Sequence, residues 1–434
     1  MGKVLIVANL FHASPRIPGF TTYLPEFGWE ATIITPSLGK NFQKQSVPPK
    51  NFFDNVKIVE APYQGDIFWF WRKIFKMFGY KTEESIPEQI KESLSISSKK
   101  SFIDVLLNFY QTFFAYPDTE KTWGKPALKI AKNIFKKEHF NIILSSSPFP
   151  TNHIIASKLK KKFNLPWVAD FRDLWTQNHN YSYSQWRKIF EKRLELKTLS
   201  SANVLVTVSQ PLADKLIELH RRKTIYSITN GFDPEKINDP PNELSPKFTI
   251  TYTGQIYARK QDPLKIIVAL KDLIEEKTIN KNDVEVKFYG PENYFLKKNI
   301  EKYGLDNIIR QYGTIPREDA IKKQWESQIL LLLNWEDEKE KGAYTGKIFE
   351  YLTGRRPILA TGGFGNDVVE YLLKETKAGI YCSKVDDIKK YLRDFYSEYK
   401  KTGKVSFNGD LREIDKYSYR EMAKKFADIL NKIV

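Results

Sequence analysis

A chain of 434 residues is too long for one ordinary hydrophobic core, so two domains are the first expectation. Hydrophobic residues at 41%, with 9 Trp, 23 Tyr and 29 Phe, supply material for large cores and argue against global disorder. The formal net charge of +17 points to an anionic partner or to a lysine-rich soluble surface, while the single cysteine, Cys382, excludes an internal disulfide and a cysteine-built zinc site.

The opening residues, MGKVLIVA, read as a buried first strand, because the apolar run is short, lacks a small-residue cleavage site and leads into a polar loop. Short apolar or β-branched runs then alternate with longer amphipathic stretches, the pattern of βα units around parallel sheets. The first half gives strands at residues 4–8, 31–35, 56–60, 141–145, 167–171, 203–208 and 226–229. The second half gives strands at 248–253, 284–289, 308–312, 329–333, 357–360 and 379–381. Two such series predict an α/β protein of two doubly wound domains, residues 1–235 and 248–416. The proline-rich stretch DPPNELSP marks the linker at 236–247. Residues 417–434 read as one helix, capped by Ser418, with Met422, Phe426, Ile429, Leu430 and Ile433 on one face that packs back on the N-terminal domain.

A helical insertion at about residues 63–116 interrupts the alternation. Within it Phe68–Phe78 interleaves aromatic residues with Arg72, Lys73 and Lys76, a composition suited either to a membrane interface or to packing over the N-terminal domain. No run approaches the roughly 20 apolar residues that span a bilayer.

Three motifs carry candidate chemistry. In KGAYTGKIFEYLTGRRPILATGGFG a helix opens at about Gly346, where free N–H groups and the positive dipole end suit a diphosphate. Lys347 adds a cation, and Glu350 lies one turn on along nearly the same face, where a carboxylate can accept both hydroxyls of a ribose. The same spacing also fits a plain surface helix with a Lys–Glu pair. In YTGQIYARKQDP a strand ends at Gly254, with Arg259 and Lys260 in the following loop, the end where open α/β sheets bind ligands. In WVADFRDLW, Asp170, Arg172 and Asp173 follow a strand; they suit substrate hydroxyls or a reacting centre, and equally a structural Arg–Asp pair. Ser147 and His153 in SSSPFPTNH, together with His12, are candidates to line the same region, although a lone histidine is often structural. No Asp-x-Asp motif is present, so charge neutralisation without a metal falls to Arg259, Lys260, Lys347 and the helix end.

In this order the segments GWEATIITP, SSSPFPTNHIIASKL, WVADFRDLW, NVLVTVSQPLADKL, ITNGFDPEK, YTGQI, GKIFEYLTGRRPIL and GIYCS resemble glycosyltransferase family 4, retaining enzymes of GT-B architecture in polysaccharide and glycan assembly. The resemblance covers nearly the whole chain. It implies two Rossmann-like domains facing a central cleft, with Glu350 as the ribose-binding second glutamate of a paired-glutamate motif and Arg259 or Lys260 at the donor diphosphate. It also makes Asn230-Gly231 the loop closing the N-terminal domain. Two departures stand out. The first glutamate of the pair falls on Gly342, and the family's glycine pair after the first strand is replaced by HASPRIPG, which leaves Arg16 and Gly19 in that region.

The expected activity is transfer of a sugar from a nucleotide diphosphate, UDP- or GDP-linked, to a carbohydrate or lipid-linked acceptor, with retention and no further cofactor. Asp173, Arg172, Arg259 and Lys347 are the candidate catalytic residues. A cytoplasmic protein at the inner face of the membrane, touching it through Phe68–Phe78, fits these features. The competing expectations are a sugar-nucleotide epimerase on the same fold and a non-catalytic basic membrane-peripheral protein. Nucleic acid is not an expected partner, because the positive charge is spread along the chain and no binding motif is present.

Overall fold

The computed structural model describes residues 1–10, 15–37, 48–63, 115–179, 181, 183–237, 243–257 and 260–434. Two compact units emerge, one of Met1–Ile228 with Ala423–Val434, the other of Thr229–Met422.

The first unit runs β1 (Gly2–Val7), α1 (Arg16–Tyr23), β2 (Trp29–Pro36), β3 (Val56–Ala61), α2 (Gly124–Phe135), β4 (Ile142–Ser146) and α3 (Pro150–Phe163). It continues with β5 (Trp167–Phe171), α4 (Gln185–Leu199), β6 (Val204–Thr207), α5 (Gln210–Leu219) and β7 (Thr224–Ser227). Among the described residues the seven strands are parallel, in the order β3-β2-β1-β4-β5-β6-β7. Central strands covered by helices on both faces need apolar side chains at every position rather than at alternate ones, and every residue of β4 and β5 is buried. Trp123, Phe140, Trp167 and Phe171 fill the core against one face of the sheet.

The second unit repeats the plan with β8 (Phe248–Thr253), α6 (Leu264–Glu275), β9 (Val284–Tyr289), α7 (Tyr294–Lys302), β10 (Ile309–Gln311), α8 (Arg317–Trp325) and β11 (Ile329–Leu333). Then come α9 (Gly346–Thr353), β12 (Ile358–Thr361), α10 (Val368–Thr376), β13 (Gly379–Cys382), α11 (Val385–Thr402) and α12 (Leu411–Asp415). Its six parallel strands are ordered β10-β9-β8-β11-β12-β13. The fold is thus α/β with two doubly wound sheets. In each, the order reverses beside the first strand, between β1 and β4 and between β8 and β11, which creates a crevice at the strands' carboxyl ends.

The division at Ile228–Thr229 falls ahead of the proline-rich stretch, of which residues 238–242 lie outside the described residues. Backbone pairing explains this: Phe232 N–H donates to Tyr417 O (3.1 Å) and Tyr419 N–H to Phe232 O (2.8 Å), so the segment is held within the second unit. Gly231 is demanded by the approach, since a Cβ there would lie 2.4 Å from Tyr417 O.

The last helix, α13 (Tyr419–Ile433), is capped by Ser418, whose Oγ accepts from Glu421 N–H at 3.2 Å. From Ala423 onward it counts with the first unit. There Phe426 stacks on Phe20 at 4.2 Å, and Asn431 accepts from Trp29 Nε1 at 2.9 Å. Among the described residues no helix is long and apolar enough to cross a membrane. Phe68–Phe78 and the rest of the expected insertion at 64–114 lie outside the described residues.

Candidate functional site

In the second unit, β8 delivers its carboxyl end to the crevice as Thr253 followed by Gly254. Gly254 has φ +115°, and a Cβ there would stand 2.3 Å from Lys347 Cε, so a side chain at this point would be strained by conformation and would displace the lysine. Gly290 after β9 is just as tightly constrained, its missing Cβ lying 2.2 Å from Gly254 O. The strand ends are therefore bare backbone, over which Lys347 extends from the first turn of α9.

Lys347 Nζ donates to Tyr252 Oη at 2.8 Å and to Gln255 O at 3.3 Å, and sits 4.7 Å above the Tyr252 ring. Burial pushes its ammonium down to about 8, with the Glu350 carboxylate pulling the other way. The residue before the helix, Thr345, is buried, and its Oγ1 has no hydrogen-bond partner among the described residues. The start of α9 thus carries no side-chain cap, is preceded by an unsatisfied hydroxyl and bears a partly desolvated cation in its first turn, a combination that suits a phosphate group.

One turn further on, Glu350 is engaged at both oxygens. Oε2 accepts from Arg317 Nη2 at 2.8 Å and Oε1 from Gln324 Nε2 at 2.7 Å. Gln324 Nε2 also donates to Thr253 Oγ1 (2.9 Å), and Tyr351 Oη accepts from Thr253 N–H (3.0 Å), so α8, α9 and the end of β8 form one network. Arg317 and Gln324 were not identified in the sequence. Their segment, REDAIKKQW, reads as a solvated charged helix, with no local mark of Gln324, which the structure buries to 1% exposure.

Lys260, expected at the diphosphate, is paired with Glu340, its Nζ lying 2.7 Å from an Oε1 on a side chain that is 2% exposed. Arg259 lies outside the described residues. Gly342 has φ +90°, and its N–H donates to Asp367 Oδ1 at 3.0 Å while Asp367 also caps α10 through Val368 N–H at 2.7 Å. The position that the resemblance gives to a glutamate is therefore built for glycine.

In the first unit Arg16 and Asp170 form a buried ion pair at the ends of α1 and β5. Arg16 Nη2 lies 2.8 Å from Asp170 Oδ1 and Nε 3.1 Å from Oδ2, with Ser146 Oγ donating to Oδ2 at 2.7 Å. Both side chains are at most 1% exposed, and Arg16 also stands 5.3 Å from the Phe426 ring. Arg16, expected to line an acceptor site, is a buried tie between α1, β5 and α13, and Gly19 is buried within α1.

His153 is likewise internal. Ser145 Oγ, which accepts from Trp167 Nε1 at 2.8 Å, lies 2.8 Å from His153 Nδ1, and Nε2 of the ring is buried with no hydrogen-bond partner among the described residues. Stacked on Phe171 at 4.5 Å, the imidazole is pushed down to about 4 by burial, against the pull of Asp170, and stays neutral. His12 lies outside the described residues.

Arg172 and Asp173 are partly exposed at this end of the sheet, beside the buried Ser147, Asn9 and Glu120. Arg172 pairs with Asp173 at 2.9 Å, and Ser147 Oγ donates to Asp173 O (2.9 Å) and accepts from Asp173 N–H (3.0 Å). Asn9, just beyond β1, donates to Glu120 at 3.4 Å, a carboxylate that Tyr63 also contacts. Asn230 and Gly231 belong to the second unit, where Gly231 lies against Tyr417 O.

Two doubly wound parallel sheets of this order, each with its crevice beside the first strand, define the GT-B class of fold. Similar solved structures are Anabaena HepE in complex with UDP (12% identity, 100% of both chains, TM-score 0.62) and a glycosyltransferase from Rickettsia africae (17%, 100% and 98%, 0.59). An S. aureus TarM mutant in complex with Fondaparinux, alpha-GlcNAc-glycerol and UDP is similar as well (10%, 99% and 100%, 0.54). At these identities the likeness is one of fold. No curated protein matches the sequence. Residues 103–236 match the profile of Glycosyltransferase Family 4, and the resemblance read from the ordered motifs holds over that stretch. Family match and fold together support glycosyltransferase activity.

Proposed function

We propose that the chain transfers a sugar from a nucleotide diphosphate donor to a carbohydrate or lipid-linked acceptor, with retention at the anomeric carbon. The observation that carries this reading is the group at the β8–α9 junction: bare Gly254, the unsatisfied Thr345 hydroxyl, the Gly346 helix end, Lys347 and Glu350.

The donor diphosphate rests on the first turn of α9, where helix N–H groups and Lys347 meet charge that grows as the phosphate departs. Arg259, outside the described residues, supplies a further cation. Glu350 accepts the two ribose hydroxyls, which replace Arg317 and Gln324 as its donors. The acceptor oxygen bonds to the anomeric carbon on the face that the diphosphate leaves, and the departing phosphate oxygen takes the acceptor proton. No enzyme nucleophile and no metal take part. Arg172 and Asp173 orient acceptor hydroxyls. UDP is the nucleotide named with two of the similar structures, which makes UDP-sugars the first donors to examine, ahead of GDP-sugars.

The test is thermal melting of the folded protein with UDP, GDP, ADP and dTDP and their sugars. A ligand that binds only the native state stabilises by about 2.7 kcal/mol at 100 times its Kd. One nucleotide family should raise the melting temperature, and its labelled sugar should then pass to an acceptor. Absence of any nucleotide response overturns the reading.

A further inference from the structure

Helix α4 is built inside out. Its buried positions are Arg187, Glu191 and Glu195, followed by Thr198 and Leu199, so the inward face is largely charged. That charge is fully used: Arg187 pairs with Glu191 and donates from Nη2 to Ala115 O at 2.7 Å and to Pro117 O at 3.1 Å. Glu191 accepts from Trp175 Nε1 at 3.2 Å and Glu195 from Thr176 N–H at 3.1 Å. The outward face is the apolar one, with Trp186 77%, Phe190 57%, Ile189 49% and Leu196 39% exposed. Spaced at i, i+3, i+4 and i+10, these four share a stripe, and single exposed apolar residues are ordinary where a contiguous stripe is not.

The outward charges of α4 and of the two helices on its α3 side have one sign, whereas α5, whose C-terminal His220 meets Glu195, exposes Asp214 and Glu218. Lys192, Arg193 and Lys197 are exposed on α4, whose two acids both point inward. The helix beside it, α3, contacts both α2 and α4 and contains no Asp or Glu, while Lys158, Lys161 and Lys162 are exposed on it. In α2 too there is no acid, and Lys125, Lys129 and Lys132 face outward. Three adjacent helices thus present cations only, with an aromatic stripe along one of them.

We propose that this face docks on an anionic lipid bilayer, with Trp186, Ile189, Phe190 and Leu196 seated in the headgroup boundary and the lysines of α2, α3 and α4 over acidic headgroups. Charge complementarity selects this occupant. A second copy of the chain would set cation against cation, and an acidic protein groove needs no row of lysines spread across three helices. Apolar insertion and electrostatic attraction act together in such binding, and neither alone suffices. The assignment is independent of the donor and of the site on α9.

Co-sedimentation of the full chain with phosphatidylcholine vesicles, with and without phosphatidylglycerol, tests it. Two exposed-surface variants accompany the natural chain, Trp186→Ser with Phe190→Ser, and Lys192→Glu with Arg193→Glu and Lys197→Glu. The natural chain should sediment with phosphatidylglycerol vesicles alone and release at high salt, because surface attraction is screened. Each variant should lose on the order of tenfold or more in partitioning, with an unchanged melting temperature. Partitioning that survives in both variants overturns the proposal and transfers the contact elsewhere, Phe68–Phe78 included. Equal binding to neutral vesicles, no vesicle binding by the natural chain, or a dimer in light scattering that the serine variant dissociates would each overturn it as well.

Discussion

Glu350 has both oxygens occupied in the ligand-free chain, and Arg317, on an exposed side chain, supplies one of the two bonds. A nucleotide that binds through its ribose must compete with that arginine. Glu350→Gln, which loses the charge and one acceptor, should weaken nucleotide binding by about 1.5–3 kcal/mol, the range for bonds to a charged group. Arg317→Ala should leave binding intact or strengthen it. Titration calorimetry on the two variants checks both, and equal losses would assign Arg317 to the ligand instead. Lys347 gives a pH signature. With its pKa held near 8 by burial, the free chain carries this cation below pH 8 and loses it above. Diphosphate binding favours the charged form, so kcat/KM should fall as pH rises through about 8, and Lys347→Arg should move that fall to higher pH. A profile that is flat up to pH 10 would remove Lys347 from the diphosphate. Residue types and spacing made Gly254, Lys347 and Glu350 visible in the sequence, because a strand end and a helix start each leave local marks. Arg317 and Gln324 left none, since their place beside Glu350 follows from α8 packing by β8, a matter of sheet order.

At the scale of elements, strands were the legible part. Buried parallel strands are continuous apolar runs, and ILLLL at β11 or IILSS at β4 can hardly be read otherwise. The edge strand β7 was shifted, expected at 226–229 and found at Thr224–Ser227, because an edge exposes one side and its half-buried residues carry a weaker pattern. Helices were harder wherever a polar residue does interior work. The ion pair of Arg16 with Asp170 spans 154 positions of sequence and reads locally as two surface residues. Phe426 closes over it from α13. Phe426→Ala should therefore cost about 3–5 kcal/mol, as for other large-to-alanine core changes, and expose the arginine. Chemical denaturation measures this. Arg16→Ala should cost about as much, because it leaves a buried carboxylate unpaired. A loss below 1 kcal/mol in both variants would mean that α13 merely rests on the first unit.

For the whole molecule, every described residue assigned to the donor lies in the unit Thr229–Met422. Hydrogen exchange on the intact chain should accordingly show nucleotide protection at Gly254–Gln255 and along Thr345–Glu350, with little change at Ser146 or Asp170. Protection confined to the first unit would place the nucleotide on the other sheet. The grouping of Ala423–Val434 with Met1–Ile228 has a consequence in time. Domains of a growing chain fold as units, the N-terminal one first, as synthesis proceeds at about 5–20 residues per second. Here the first unit emerges without the helix that covers Phe20 and the Arg16–Asp170 pair, and the entire second unit must be made before that helix appears. For roughly ten to forty seconds the nascent chain therefore carries an open apolar seam, whereas the continuous second unit is completed without interruption. Stalling translation just before residue 423 should leave a first unit that chaperones bind and proteases cut, beside a second unit that already resists them.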